Sequence, residues 1–245
     1  LEQHIPHKAE VQKIAHVLDV PTEEVIFLSS HSEKQLEFLF HAISMSIQKD
    51  QSQVWEPLAK VVKFIPNFLN AKISEEVLGP HITANITYHV GVKDAISISN
   101  FFSNKFFADV MEHVLPEKIE HILKEAPIEK MRIVLQELLK RKNYYQLSSL
   151  MDYVPIDRAA KLTLEVEDYE ILSTVAYLSS KKDRHWKILA TYTDDRIKGF
   201  LQISLEQDRA EMIQEIYNSA DSNFKSRLKN LMSGFSENLL SQVKL

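Results

Sequence analysis

The chain holds only 4 glycines in 245 residues. Average usage, about 7%, would give roughly 17. Hairpin turns and β-bulges draw on glycine for left-handed backbone. Phosphate-binding loops need it where the backbone meets the ligand. Gly79, Gly91, Gly199 and Gly234 stand far apart, so neither a GxGxxG nor a GxxxxGK[ST] loop can form. The shortage points to an all-α chain and removes the common nucleotide-binding motifs.

Apolar spacing agrees. Leu36, Leu39, Phe40, Ile43 and Ile47 fall on one stripe of a 3.6-residue period. So do Met131, Val134, Leu135 and Leu138, then Ile171, Leu172, Val175 and Leu178, and later Met212, Ile213, Ile216 and Tyr217. Ile82–Val90 alternates imperfectly and reads as helix or irregular chain. Helix starts are marked by Pro21, Pro66, Pro80, Pro116, Pro127 and Pro155, several followed by acids that suit a helix N-terminus. Thr193-Asp194-Asp195, Asp208 and Asp221-Ser222 read as later caps. Gly79 reads as a helix end before Pro80, Gly91 as a helix junction, and Gly199 as a close helix–helix approach inside a helix.

Composition narrows the classes further. With no cysteine, disulfides, thiolate metal sites and cysteine nucleophiles are excluded, which suits a cytoplasmic protein. A formal charge of -5 argues against a general nucleic-acid binder. The most apolar stretch, Leu36–Ile47, is interrupted by Glu37, His41 and Ser44, so no transmembrane segment is expected. The opening Leu1-Glu2-Gln3-His4 lacks the basic region of a signal peptide.

The helices look repetitive. Leu115-Pro116-Glu117 opens a unit that recurs at Val154-Pro155-Ile156-Asp157-Arg158, and again at Asp194-Asp195-Arg196. A spacing near 40 residues, with several helices per unit, predicts an α-solenoid. Residues 1–50 fall outside this register and read as an N-terminal helical cap or subdomain. A linker-like Gln48–Gln53 follows, then a bridging stretch from Trp55 to Gly79. Residues 55–245 form the helical-repeat superhelix on this reading.

The run from Phe107-Ala108-Asp109-Val110 through Pro116, Pro127 and Pro155-Ile156-Asp157-Arg158-Ala159-Ala160 resembles the cytosolic N-terminal domain of MgtE-type magnesium transporters. Leu69-Asn70-Ala71-Lys72, Leu78-Gly79-Pro80 and Thr83-Ala84 resemble stand-alone bacterial proteins of that type. The resemblance spans roughly residues 90–220. It implies a right-handed α-α superhelix of short helices, related to the helical modules of the flagellar motor switch protein. It transfers no metal ligand to any residue of this chain.

Candidate sites are few. No HExxH motif or GxSxG elbow occurs, and no catalytic or metal-ligating residue is assigned. His113 and His121 flank Pro116, which separates two helices. Glu75-Glu76, Glu165-Glu167-Asp168 and Asp194-Asp195 could bind magnesium weakly, but acids are also expected at helix N-termini. Phe101, Phe102, Phe106 and Phe107 cannot share one helical face. A turn at Ser103-Asn104 that sends both pairs inward is the better reading. Two basic, aromatic clusters remain, Lys140-Arg141-Lys142 with Tyr144 and Lys181-Lys182 with Arg184 and Trp186. Their 41-residue separation suggests one basic edge for an acidic partner.

A non-enzymatic cytoplasmic scaffold or protein–protein interaction module without a cofactor is therefore the expected function. A magnesium-responsive regulatory module and a phosphate- or nucleic-acid-binding solenoid are the alternatives.

Overall fold

Proline and aspartate start several of the helices. Pro66, Pro127 and Pro155 stand at the N-caps of three of them. Asp168, Thr193 and Asp221 accept first-turn N–H groups through their side chains. A computed structural model describes residues 8–18, 20–49, 52–236, 239 and 241–243. Among these residues the chain is all-helical. The opening Leu1–His4 lies outside them, as do Asp50 and Gln51 of the linker-like stretch. Pro21 introduces a 3-10 segment, Thr22–Ser30, rather than an α-helix.

The chain divides into two compact units, residues 1–103 and 104–245. The first contains α1 (Lys8–Leu18), α2 (Glu33–Lys49), α3 (Ser52–Val62), α4 (Asn67–Ile73), α5 (Gly79–Thr87) and α6 (Val92–Ser99). It has two separate small cores. Val11, Ile14, Ala15, Val25 and Leu36 join α1, the 3-10 segment and α2. Ala59, Ile86 and Val90 gather Trp55, Val62, Leu78, Ile82 and Ala95 around α3 and α5. Ile82 is therefore helical, inside α5. Gly79 ends the one-turn π segment Ser74–Leu78 with φ +76°. Glycine is needed there because a Cβ disfavours this conformation.

The second unit contains α7 (Asn104–His113), α8 (Glu120–Glu125), α9 (Ile128–Lys140), α10 (Tyr144–Met151) and α11 (Ile156–Leu164). It continues with α12 (Tyr169–Leu178), α13 (His185–Leu189), α14 (Asp194–Glu206), α15 (Ala210–Ser219) and α16 (Ser222–Met232). Most of these helices pack on the next but one. One series is α7, α9, α11, α13 and α15; the other is α10, α12, α14 and α16. The predicted stripes are the buried faces. Met131, Val134, Leu135 and Leu138 are buried, as are Leu172, Val175 and Leu178, and Met212, Ile213 and Ile216. Gly199 lies in α14 beneath the Tyr169 ring of α12. An added Cβ would come 2.5 Å from that ring, which confirms the close approach.

The phenylalanine run is split. A turn at 101–103 separates Phe101 and Phe102 from α7, where Phe106 is buried. Phe101 stays 56% exposed, which corrects the expectation that both pairs turn inward. The unit boundary falls between Ser103 and Asn104, so the pairs belong to different units.

Asp208 is also corrected. It is the second residue past α14 with φ +58°, not a cap of α15. Its successor, Arg209, donates N–H to the Ser204 carbonyl. Lys142 repeats the geometry after α9, with φ +56° and Asn143 N–H on the Leu138 carbonyl. Both are left-handed helix ends where glycine is usual. A non-glycine residue costs about 1–2 kcal/mol there. We expect Lys142→Gly to raise stability by about 1 kcal/mol, read as a higher denaturant midpoint at an unchanged slope. A lowered midpoint would show that the Lys142 side chain is needed more than the backbone is strained.

Candidate functional site

The two basic clusters are held at opposite ends of α10. Lys140, Arg141 and Lys142 close α9, and Tyr144 begins α10. Lys181 lies 3.5 Å from the centre of the Tyr153 ring, and Arg184 donates to the Val154 carbonyl, both just past the end of α10. The eight residues of α10 between them rise roughly 12 Å.

Most of their members already have internal partners. Arg141 lies 2.6 Å from Asp109 and also engages Glu112 of α7. Burial alone would lower its pKa, but those two carboxylates hold it above the usual arginine value. Lys182 is largely covered and sits 3.9 Å from Glu215. Trp186 packs on Phe224, with ring centres 6.2 Å apart. Tyr144 is half-buried. Only Lys140 and Lys142 face solvent. Lys140 pairs at 2.6 Å with Glu137 one turn earlier, in an exposed geometry that contributes little.

A second polar system, not foreseen from the sequence as a site, links helices of the second unit. Arg158, in the first turn of α11, donates to the Ala126 carbonyl at the end of α8. Arg196, in the first turn of α14, donates to the Thr163 carbonyl at 2.8 Å and to the Val166 carbonyl, both at the end of α11. Arg227 of α16 reaches the Ala190 and Tyr192 carbonyls after α13, at 3.1 and 2.7 Å. Gln146 of α10 donates to the Met111 and Val114 carbonyls at the end of α7. Each donor thus meets helix-end carbonyls that have no intrahelical partner. A cation near its own helix N-terminus is disfavoured by the dipole, whereas the same cation at another helix's C-terminus is favoured. The sequence signal was present, since Arg158 and Arg196 stand at equivalent places in the repeated openings. Gln146 gave no signal.

Arg209 completes the system. Its guanidinium donates to the Ser173 and Thr174 hydroxyls at 2.8 and 3.0 Å and lies over the Tyr177 ring. Burial lowers its pKa. Asp152, buried in the loop after α10, accepts from the Ser179 hydroxyl at 2.5 Å and the Ser180 N–H at 2.9 Å. The adjacent Tyr153 hydroxyl is pushed up to about 12, first by burial and then by Glu117 and Asp152.

The acidic pairs sit in ordinary structural roles. Glu75 accepts the Ser103 N–H at 2.6 Å, Glu165 accepts from Arg132 at 2.8 Å, Asp168 caps α12, and Asp194 accepts from Arg227 at 2.8 Å. Among the described residues, no three histidine or carboxylate side chains are grouped as a metal ion requires. No helix among them is long and apolar enough to cross a membrane. Comparisons with protein-family models, with curated proteins and with solved structures find no match.

His185 is an ionisable group displaced by its surroundings. Its Nε2 is sealed from solvent and has no hydrogen-bond partner among the described residues. Burial, reinforced by Lys182 and Arg184, lowers its pKa to about 4. The unfolded ring protonates near 6.5, so the unfolded state binds the proton first as pH falls. Stability is full above pH 6.5 and is lost as pH falls toward 4. The expected slope is about 1.4 kcal/mol per pH unit. Denaturant titrations of wild type and His185→Phe between pH 7.5 and 4 measure this. The difference between the two proteins should change across the window; parallel curves would show that His185 titrates normally.

Proposed function

We propose that the chain is a non-enzymatic helical-repeat scaffold that binds another protein, and that residues 104–245 form a right-handed superhelix. Packing of most of these helices on the next but one supports the solenoid reading. So does the reuse of one contact, a side-chain donor on the helix-end carbonyls roughly one repeat back. A stack of this kind is stabilised mainly by neighbours and presents an extended surface. The resemblance of the sequence to the MgtE-type cytosolic domain is part of this proposal, and a cytoplasmic location suits the absence of cysteine.

The observation that carries the binding role is the division of labour among the cations. Arg141, Lys182 and Arg184 hold the fold, whereas Lys140 and Lys142 at the α9–α10 corner face solvent. The aromatic that a nucleic-acid reading would use for stacking, Trp186, is packed against Phe224. An acidic protein partner suits two exposed lysines better than a phosphate chain does.

The test is capture from a lysate of the source cells on wild type and on Lys140→Glu/Lys142→Glu. Arg141 is left intact because its loss would strand Asp109 and Glu112. We expect partners retained by wild type to fall at least several-fold on the variant, with matching melting curves. Identical partner sets would remove this corner as the binding surface.

A further inference from the structure

Exposed large apolar side chains are concentrated in one half of the chain. Among the described residues, the second unit exposes only Leu164 in this class, and the first unit exposes all the others. Scattered exposed leucines need no explanation. Two groupings in the first unit do, because each combines several such residues with an excess of charge of one sign.

One grouping lies on α3, α4 and their turn. Leu58 is 43% exposed, Val61 50%, Phe64 87% and Phe68 59%. Lys60, Lys63 and Lys72 are interleaved with them and exposed, against Glu56 and Glu76, so the lysines are in excess by one. The ion pairs of Lys60 with Glu56 and of Lys72 with Glu76 are solvent-exposed, and such pairs contribute little. The turn that carries Lys63 and Phe64 is not loose. The buried Asn70 side chain donates to the Val62 and Ile65 carbonyls, both at 2.9 Å, and clamps it from beneath. Phe64 is thus presented on a preorganised support, which lowers the entropic cost of docking.

The other grouping lies on the 3-10 segment and α2. Ile26, Phe27 and Phe38 are 40%, 68% and 75% exposed. Glu23, Glu24, Glu33 and Glu37 are exposed around them in sequence, against Lys34 alone. This surface therefore has the opposite charge to the first and the same aromatic character.

We infer that these are the two halves of one head-to-tail contact, in which the lysine-rimmed α3–α4 face of one copy docks on the glutamate-rimmed face of a second copy. Complementary charge on two exposed apolar surfaces of the same unit identifies the occupant. A partner protein would have to be invoked twice, once for each face; a second copy accounts for both. Aromatic anchors with a charged rim are the usual composition of a specific interface. Because the two faces differ, the contact is heterologous and yields a ring or an open chain rather than a two-fold dimer. The surface is separate from the Lys140–Lys142 corner, and its test does not depend on that reading.

The experiment is sedimentation of the full chain over 1–200 μM, at low and high salt. We expect mass to rise above monomer with concentration, and to fall back at high salt. Lys60→Glu/Lys63→Glu should be monomeric alone, as should Glu23→Lys/Glu24→Lys, while an equimolar mixture of the two associates. Phe64→Ser and Phe27→Ser, on exposed sites that leave melting unchanged, should each weaken association at least tenfold. A monomer at every concentration would overturn the inference, as would association that survives both serine variants or a mixture that stays monomeric. Binding of a monomeric chain to phosphatidylserine vesicles, lost in Lys60→Glu/Lys63→Glu, would overturn it in favour of a lipid surface.

Discussion

Short helices leave many carbonyls without partners, and this chain answers the problem with side chains from helices further along. The helices of the second unit run from 5 to 13 residues. Alone they would be marginal in water, and each leaves up to four C-terminal carbonyls unsatisfied. Arg158, Arg196, Arg227 and Gln146 supply donors to those carbonyls from 30–35 residues further along the chain. Each contact satisfies a helix end, and the three arginines also place a cation against a negative dipole end. The apolar stripes pack closely enough that Gly199 must lack a side chain under Tyr169.

Part of the positive charge of the two basic clusters is likewise taken up inside the fold. Basic residues in a helical array are read from sequence as solvent-facing charge. Here Arg141 and Arg184 work as structural donors, to the carboxylates of Asp109 and Glu112 and to the Val154 carbonyl. Arginine suits this role because its planar fork holds several hydrogen bonds in a fixed geometry. The lysines of the clusters divide. Lys181 covers an aromatic ring, and Lys182 is largely covered, whereas Lys140 and Lys142 remain outside.

Helix identity and buried faces were legible in the sequence, since a 3.6-residue stripe such as Met131–Leu138 has few other solutions. Proline and aspartate starts at Pro127, Pro155 and Asp221 were legible for the same local reason. Asp208 was misread because a left-handed helix end and an N-cap both favour aspartate, and only the backbone angle separates them. Phe101 was misread because hydrophobicity alone does not say which side of a unit boundary a residue falls on. The donors on the carbonyls were half legible: Arg158 and Arg196 recur in register, but their acceptors lie 30–33 residues back and leave no mark of their own. The exposed aromatic faces of the first unit could not be separated from core stripes, since both use leucine, valine and phenylalanine.

Native-state hydrogen exchange on Arg196→Met examines the interaction on which the array rests. The methionine keeps the length of the side chain and removes the donors to Thr163 and Val166. If those bonds tie the repeats together, the Glu165 and Val166 amides and the first turn of α14 lose protection, and global stability falls by about 2–3 kcal/mol. Protection unchanged at α11 and α14, with stability within about 0.5 kcal/mol of wild type, would show that apolar packing alone sets the repeat.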